Sequence, residues 1–479
     1  MKSVQKNFLY NLAYQILAII LPLITAPYLA RTLGAENIGI YSYTFSIANY
    51  FVLFGLLGIN NYGVRLIAKH QNNRIEISRN FWSLYFFHLI VSIFSLFCYI
   101  LYVILFDNTY FIISLCQVIF ILSSVIDISW FFFGLEKFKV TVIRNTIIRL
   151  LTLWMILLFV KSSNDLLIYT LIMAFSTFFS QLVLWTFIKK EIDFYKPTVK
   201  EIFSHFYPNL MLFIPVIAVS FYNIMDKIIL GQMDSMFSVG LYENSEKIIN
   251  IPNGVIIAFG NVMLPRMSFM VENKQFEKIR NTVSKSIEFN MFVGSALAFG
   301  VAGIAPVFAP FFLGEEFRIT GEVIPLLSII IIIKAWANVI RNLLLLPFNR
   351  DKELTISLIV GAIINVIINI MLIPELGIFG AVYGTIFAEL FVCLTQVYYV
   401  RSQIKFSEII SKSYIYLISG GVMFFIVRGI PTFINGNLLK LFAQILIGAL
   451  SYLFIVFILY PNKKDLFEYL NFLPFFRHK

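Results

Sequence analysis

The chain has 479 residues, of which 59% are hydrophobic and 13% are charged, and its mean hydropathy is +0.85. This composition excludes an ordinary soluble globular protein and indicates a protein that crosses a membrane many times. Continuous apolar runs without polar–apolar alternation argue against an outer-membrane β-barrel. The cysteines (Cys98, Cys116 and Cys393) are few and scattered through apolar runs, so neither a disulfide nor a metal site is expected.

Fourteen apolar runs have the length of membrane-spanning helices. They cover about 17 to 27 residues each, and a helix rising 1.5 Å per residue needs about 20 to cross a hydrocarbon core of about 30 Å. The chain is therefore predicted to be an all-α polytopic membrane protein. The predicted helices span residues 8–30, 38–58, 81–105, 109–133, 140–160, 166–188, 208–231, 238–265, 287–312, 323–346, 354–373, 378–400, 413–428 and 439–460.

The lysines and arginines are concentrated in the loops on one side of the predicted membrane. With the N-terminus placed in the cytoplasm, 26 of the 37 basic residues fall in cytoplasmic segments and 5 fall outside. Cytoplasmic loops of membrane proteins carry an excess of positive charge, so both termini are predicted to be cytoplasmic. This topology, facing anionic membrane lipid, accounts for the net charge of +11 without a nucleic-acid partner.

Two stretches of the chain repeat. An offset of 201 residues aligns Gly39 with Gly240 and Tyr41 with Tyr242, and an offset of 215 aligns helices 5 and 6 with helices 11 and 12. Together with equal helix counts, these matches predict two six-helix lobes. Because six is even, a pseudo-two-fold axis along the membrane normal would relate the lobes, as in transporters with a site at the repeat interface. An ancient duplication without a present role is the alternative.

The predicted domains follow from this repeat. The loop before helix 7 also has apolar residues at helical spacing, Val199, Ile202, Phe203 and Phe206, which predicts a short amphipathic helix at the inner surface. Phe276 to Ile287 predicts another in the next inner loop. The predicted domains are an N-terminal lobe (1–190), an interfacial linker (191–207), a C-terminal lobe (208–405), and two further helices with a cytoplasmic tail (406–479).

Basic residues inside the predicted helices are the candidate site. A charge there costs roughly 2.5 to 3.5 kcal/mol unless it faces a partner or a water-filled cavity. These residues lie at different depths, which favours an anion that moves through the membrane over one bound at a single level. The predicted cationic cavity consists of six such residues and one from the first outer loop: Arg144, Arg149, Lys227, Lys247, Lys334, Arg341 and Arg31.

Local roles remain open for several of these charges. Asp226 and Lys227 are neighbours near a helix end and can be solvated or paired. Glu243 precedes Lys247 by four residues, an orientation that favours an intrahelical ion pair worth roughly 0.2 to 0.5 kcal/mol. Arg144 can extend its side chain to the inner interface.

The acidic residues inside the helices suit ion coupling. Asp127, Asp226 and Glu246 are the candidates, while Glu288 and Glu389 can equally cap or pair locally. The sequence contains no nucleotide-binding loop, zinc-protease motif or other catalytic constellation. No catalytic residue and no cofactor are therefore predicted, and the energy is expected from a H⁺ or Na⁺ gradient, a substrate gradient or a partner.

Three stretches carry a family resemblance. The opening segment NFLYNLAYQILAIILPLITAPYLARTLGAENIGIYSYTFSIANYFVLFGLLGINNYGVRLIA resembles that of bacterial polysaccharide repeat-unit flippases of the Wzx type. DISWFFFGLEKFK and the segment from MDKIILGQM to VGLYENSEKIINIPNGVIIAFGNVMLPRMS are similar to the same family. These flippases belong to the multidrug/oligosaccharidyl-lipid/polysaccharide (MOP) exporter superfamily, and the resemblance covers nearly the whole chain.

The resemblance implies a flippase that moves an undecaprenyl-pyrophosphate-linked oligosaccharide from the inner to the outer leaflet of the bacterial cytoplasmic membrane. Its product would serve O-antigen, capsule or a similar polymer, and its partners would be membrane lipid and a polysaccharide polymerase or biosynthesis complex. It also implies two lobes around a cationic cavity with alternating access.

Three alternatives remain. They are a teichoic-acid-precursor flippase, an ion-coupled exporter of the MATE branch, and a membrane polymerase or glycosyltransferase. The basic intramembrane charges and fourteen helices argue against the exporter. The short outer loops argue against the enzyme.

Overall fold

The computed structural model describes residues 2–403, 411, 413–430 and 436–460, without the side chains of residues 2–20 and 222. The described residues form helices and no β-strand, as the all-α prediction requires. Twelve helices are long and apolar enough to cross a membrane. The predicted tail at 461–479 lies outside the described residues.

The helices follow one another with short connections. They are α1 (Lys2–Leu56), α2 (Ile59–His70), α3 (Arg74–Phe106), α4 (Phe111–Val125), α5 (Ser129–Gly134), α6 (Phe138–Phe159), α7 (Leu166–Ile188), α8 (Val199–Phe203), α9 (Phe206–Met233), α10 (Met236–Glu272), α11 (Phe276–Leu313), α12 (Thr320–Leu327), α13 (Ile329–Val339), α14 (Asp351–Leu376), α15 (Ile378–Val400), α16 (Tyr414–Gly429) and α17 (Asn437–Leu459).

The chain divides into two compact units, Met1–Gly240 and Leu241–Lys479, which we call unit 1 and unit 2. The predicted lobe boundaries at residues 190 and 208 stay predictions. The difference between twelve spans and fourteen predicted helices has two sources. Helix α1 covers the first two predicted helices, and α16, with 16 residues, falls short of a full span.

Helix α1 is continuous except at Gly34, where the backbone takes φ 79° and ψ 171°. This conformation favours glycine because a side chain there would be strained. The predicted loop between the first two helices is therefore a kink of a single residue.

Unit 1 contains a close crossing between α1 and the first turn of α10. A Cβ atom on Gly39 would lie 1.7 Å from the carbonyl oxygen of Met236, and one on Gly240 would lie 1.8 Å from that of Ala35. No side chain fits at such distances, so glycine at both positions allows the two backbones to touch.

Within unit 1, the predicted linker is held against α3 by polar contacts. Arg74 donates to Asp193 at 2.9 Å, and Arg79 donates to Glu201 at 2.7 Å. The Tyr195 hydroxyl donates to Glu201 at 3.0 Å, and this hydrogen bond raises the pKa of Tyr195. A capping box between Thr198 and Glu201 starts α8, so a short helix does form where the apolar spacing predicted one.

A buried histidine completes this attachment. The ring of His205 is hydrogen-bonded to the Tyr62 hydroxyl at 3.1 Å and to the Ser83 hydroxyl at 2.9 Å. The contacts tie the residue that precedes α9 to α2 and α3.

The prediction of a separate amphipathic helix at Phe276 to Ile287 was wrong. This segment is the first part of α11, which runs unbroken for 38 residues. No glycine or proline occurs before Gly294, and Ile279, Val283 and Ile287 are buried, so nothing ends the helix.

Helix α13 continues into a π-helical segment, Ile340–Leu345. Its wider turn is visible where the Leu346 amide donates to the Arg341 carbonyl, five residues earlier, at 3.0 Å. Single π turns within α-helices occur frequently at functional sites.

Candidate functional site

Unit 1 contains an open cavity of about 590 Å³ between α1, α6 and α7. Two of the predicted cationic residues, Arg144 and Arg149, line it from α6. They are five residues apart, so their Cα atoms differ in height by about 7.5 Å along the helix. The other residues that line the cavity include both polar and apolar side chains. They are Leu21, Pro22, Thr25, Leu29, Asn145, Ile148, Thr152, Leu153, Ile156, Tyr169, Met173, Ser176, Thr177, Ser180 and Gln181.

The guanidinium of Arg144 is held in place by neutral acceptors. Its Nε and Nη2 atoms donate to Oδ1 of Asn145 at 3.1 and 2.7 Å. Its Nη1 atom donates to the Ser180 carbonyl and to Oε1 of Gln181, each at 3.1 Å. Arg144 is only 7% exposed, so these bonds fix a buried cation at the cavity wall.

Arg149 is the more exposed of the two cavity arginines. An exposed arginine presents a planar fork of donors that fits phosphate or carboxylate oxygens. The cavity therefore combines a fixed cation with a second, more accessible one.

Hydroxyl groups form much of the polar wall. Thr152 donates to the Ile148 carbonyl at 2.8 Å, and Thr177 donates to the Ala174 carbonyl at 2.7 Å. A hydroxyl that donates within its own helix still offers lone pairs on its oxygen. Such oxygens can accept hydrogen bonds from the hydroxyl groups of a ligand.

The other predicted residues of unit 1 are not among those lining this cavity. Arg31 is exposed just before the kink of α1, and on α9 Asp226 is buried and Lys227 half-buried. Asp127 accepts from the Ser129 amide at 2.8 Å and from its hydroxyl at 2.6 Å, contacts that order the turn before α5.

Unit 2 holds the remaining predicted residues. Nζ of Lys334 on α13 lies 2.9 Å from a carboxylate oxygen of Glu389 on α15, whose side chain is 6% exposed. Lys247 forms the ion pair with Glu243 that its spacing predicted, at 3.0 Å. Arg341 lies in the π-helical segment, and Glu246 is half-buried on α10.

Asn145 and Gln181 are site residues that sequence reasoning did not select. Gln181 had one signal, because the offset of 215 aligns it with Gln396. Gln396 is also buried and donates to the Ser357 hydroxyl at 3.2 Å. Asn145 had no signal beyond its place next to Arg144. Among the described residues, no group of three or more histidine, cysteine or acidic side chains could hold a metal ion.

Known proteins resemble this chain in sequence and in fold. A family model described as polysaccharide biosynthesis protein matches residues 4–271. A protein of Escherichia coli (strain K12) named for O-antigen transport is 24% identical over 361 residues, covering 74% of this chain and 87% of that protein.

Two solved structures share the fold. The lipid II flippase MurJ, in an inward closed conformation, matches with a TM-score of 0.78 and 16% identity, covering 96% of this chain and 100% of that one. An inward-facing multidrug resistance MATE family transporter of the MOP superfamily matches with a TM-score of 0.58 and 12% identity, covering 81% and 99% of the two chains. These likenesses confirm the predicted fold class.

Proposed function

The chain belongs to the polysaccharide biosynthesis protein family, and from this membership we propose that it is a transporter, a lipid-linked oligosaccharide flippase. The proposed substrate is an undecaprenyl-pyrophosphate-linked repeat unit for O-antigen, capsule or a similar surface polymer. The name of the Escherichia coli relative, which refers to O-antigen transport, supports this class of substrate.

The cavity of unit 1 is the observation that carries the proposal. A pyrophosphate presents several anionic oxygens, and arginine pairs with such oxygens through two parallel hydrogen bonds. Arg149 supplies an accessible guanidinium, and Arg144, whose guanidinium already donates four hydrogen bonds to the protein, adds a second positive charge to the cavity wall. The surrounding hydroxyl and amide groups suit the hydroxyl-rich surface of a sugar.

Transport would proceed by alternating access across the bacterial cytoplasmic membrane, with both termini in the cytoplasm. The twelve spanning helices and the excess of basic residues in the predicted inner loops support this arrangement. Arg31, Lys227, Lys247, Lys334 and Arg341 would contact the anionic head group in successive states.

Ion coupling is part of the proposal. Asp226, which is buried, and Glu246 are candidates for binding or releasing H⁺ or Na⁺. Asp127 is a third candidate, and its hydrogen bonds with Ser129 also stabilise the turn before α5. A polysaccharide polymerase or biosynthesis complex is the proposed protein partner.

An exporter of the MATE branch is the second candidate, since a member of that branch shares the fold. Arginine side chains around the cavity favour an anionic substrate, whereas a cationic drug would be repelled. A precursor of teichoic acid, also a lipid-linked phosphate, would suit the same cavity.

The test is export of surface polysaccharide in a host that lacks its own flippase. Replacing Arg144 and Arg149 together with glutamine should lower export about tenfold or more, since each charged hydrogen bond contributes about 1.5 to 3 kcal/mol. Lys139→Gln is the matched control, because Lys139 is exposed on the same helix outside the cavity. Wild-type export by the double variant at normal abundance would refute the proposal.

A further inference from the structure

Among the described residues of unit 2, fourteen buried side-chain nitrogen and oxygen atoms have no hydrogen-bond partner, and six of them belong to four side chains on the facing helices α11 and α13 and the π-helical segment. These six are Nδ2 and Oδ1 of Asn290, Nδ2 and Oδ1 of Asn338, Nδ2 of Asn342, and Oγ of Ser286. The four side chains, which we call the amide cluster, are between 0% and 5% exposed. Buried polar groups nearly always have a partner, so four such side chains together require an explanation.

Close contacts at glycines fix the alignment of the helices that carry the cluster. A Cβ on Gly294 of α11 would lie 2.9 Å from Cβ of Ala335 on α13 and 3.7 Å from Cδ1 of Ile256 on α10. A Cβ on Gly321, where the chain returns along α11, would lie 3.0 Å from Cα of Pro306. Gly321 on α12 faces Pro306 of α11, and the later residue Ala335 on α13 faces the earlier residue Gly294 of α11. Helices α12 and α13 therefore run antiparallel to α11.

The same alignment places the amide cluster on two successive helical turns. One turn beyond the contact at Gly294, Asn290 lies opposite Asn338, and after another turn Ser286 lies opposite Asn342. On α10, a Cβ on Gly260 would lie 2.2 Å from Oδ1 of Asn338 and 2.4 Å from Nδ2 of Asn342. Asn338 and Asn342 therefore lie against the bare backbone of Gly260.

The chemistry of the unpaired atoms selects a ligand. They include amide nitrogens, which donate, and amide oxygens, which accept. A metal cation would use only the oxygens, and an anion would use only the nitrogens and the hydroxyl. Water both donates and accepts, and a buried water typically makes about three hydrogen bonds.

We propose that the amide cluster is a hydration site that binds a small group of water molecules inside unit 2. Asn342 belongs to the π-helical segment, and Arg341 is its neighbour. Bound water molecules can form hydrogen bonds with the side-chain amide of Asn342 and can be replaced by other water molecules without a change in the packing of the helices. The site therefore supports the turn that presents Arg341.

Radiolytic hydroxyl-radical labelling of the full chain in lipid nanodiscs tests the proposal, because radicals formed from bound water oxidise nearby side chains. Met263 lies one turn along α10 from Gly260 and is 2% exposed, and Met423 on α16 is 3% exposed. We expect Met263 to be oxidised several-fold faster than Met423. In Asn290→Leu/Asn338→Leu, the Met263 rate should fall to that of Met423.

Equal rates for the two methionines in the wild-type protein would overturn the proposal, whatever the folding of the variant. A cation bound in the site would make the melting temperature depend on the salt. The melting temperature would then differ between NaCl, KCl and choline chloride in the wild type and lose this difference in the double variant. The proposal expects the variant to shift the melting temperature equally in all three salts. Neither readout depends on transport.

Discussion

Gly39 and Gly240 occupy reciprocal positions at one helix crossing, where each faces the carbonyl oxygen of the residue four places before the other. These are the two glycines that the offset of 201 residues aligns in the sequence. The repeat therefore marks a pair of positions that contact each other in unit 1. A reciprocal contact of this kind requires a small residue on both helices.

Gly240→Ala should destabilise the protein by about 1 to 3 kcal/mol, because the added methyl group overlaps the carbonyl of Ala35 and forces the helices apart. Gly254→Ala is the matched control on α10, since a Cβ there meets nothing within 4 Å. The measurement is thermal unfolding of the detergent-purified protein. Equal melting temperatures for the two variants would show that the close crossing is not needed.

Lys334→Met should destabilise the protein by about 3 to 5 kcal/mol, because it leaves Glu389 buried without its counter-ion. Lys334→Met/Glu389→Leu should regain most of that loss in the same unfolding assay. Polysaccharide export should stay low in both variants if Lys334 also contacts substrate. A double variant as unstable as the single one would show that the ion pair is not the cause.

Gln181→Ala should reduce export about three- to tenfold with little change in abundance, because it removes one acceptor that holds Arg144, worth about 1 kcal/mol. Thr186→Ala is the control, since Thr186 is exposed on the same helix and donates only to the Val183 carbonyl. The measurement is surface polysaccharide per unit of membrane protein. Similar export by the two variants would remove Gln181 from the site.

His205→Leu should loosen the linker, because it leaves the hydroxyls of Tyr62 and Ser83 without the ring that joins them. Trypsin should then cleave after Lys200 several-fold faster than in the wild type, whereas Lys196, which precedes Pro197, is not a trypsin site. Ser204→Ala serves as the comparison, since the Ser204 hydroxyl donates only to the Glu201 carbonyl, three residues earlier in the linker. Unchanged cleavage of the histidine variant would mean that other contacts hold the linker.

Much of the fold could be predicted because spanning helices need long apolar runs, which composition reveals directly. Where the prediction failed, the cause was local. A single glycine, Gly34, turns the chain between two predicted helices, and apolar spacing alone could not separate an interfacial helix from the first turns of α11. The π-helical segment at Ile340–Leu345 follows from packing and has no sequence signal.

The candidate site was predictable in part. Arg144 and Arg149 were both selected as cavity residues, but a spacing of five residues turns them about 140° apart around α6, so only the packing of α6 with α1 and α7 brings both to one cavity. The ion pair of Lys334 with Glu389 joins residues 55 positions apart on different helices, and no local pattern connects them. The amide groups of Asn145 and Gln181 likewise acquire a role only when α6 and α7 pack together.

The unbroken length of α11 has a mechanical consequence. Its 38 residues make a rod of about 57 Å, nearly twice the thickness of the hydrocarbon core. Pro306 and Pro310 lie in the C-terminal part of α11, but the helix continues through both, so a tilt of its axis moves both ends. A tilt of about 10° around its midpoint moves each tip by about 5 Å. A small rotation deep in the bilayer thus becomes a displacement at the membrane surface as large as one turn of helix.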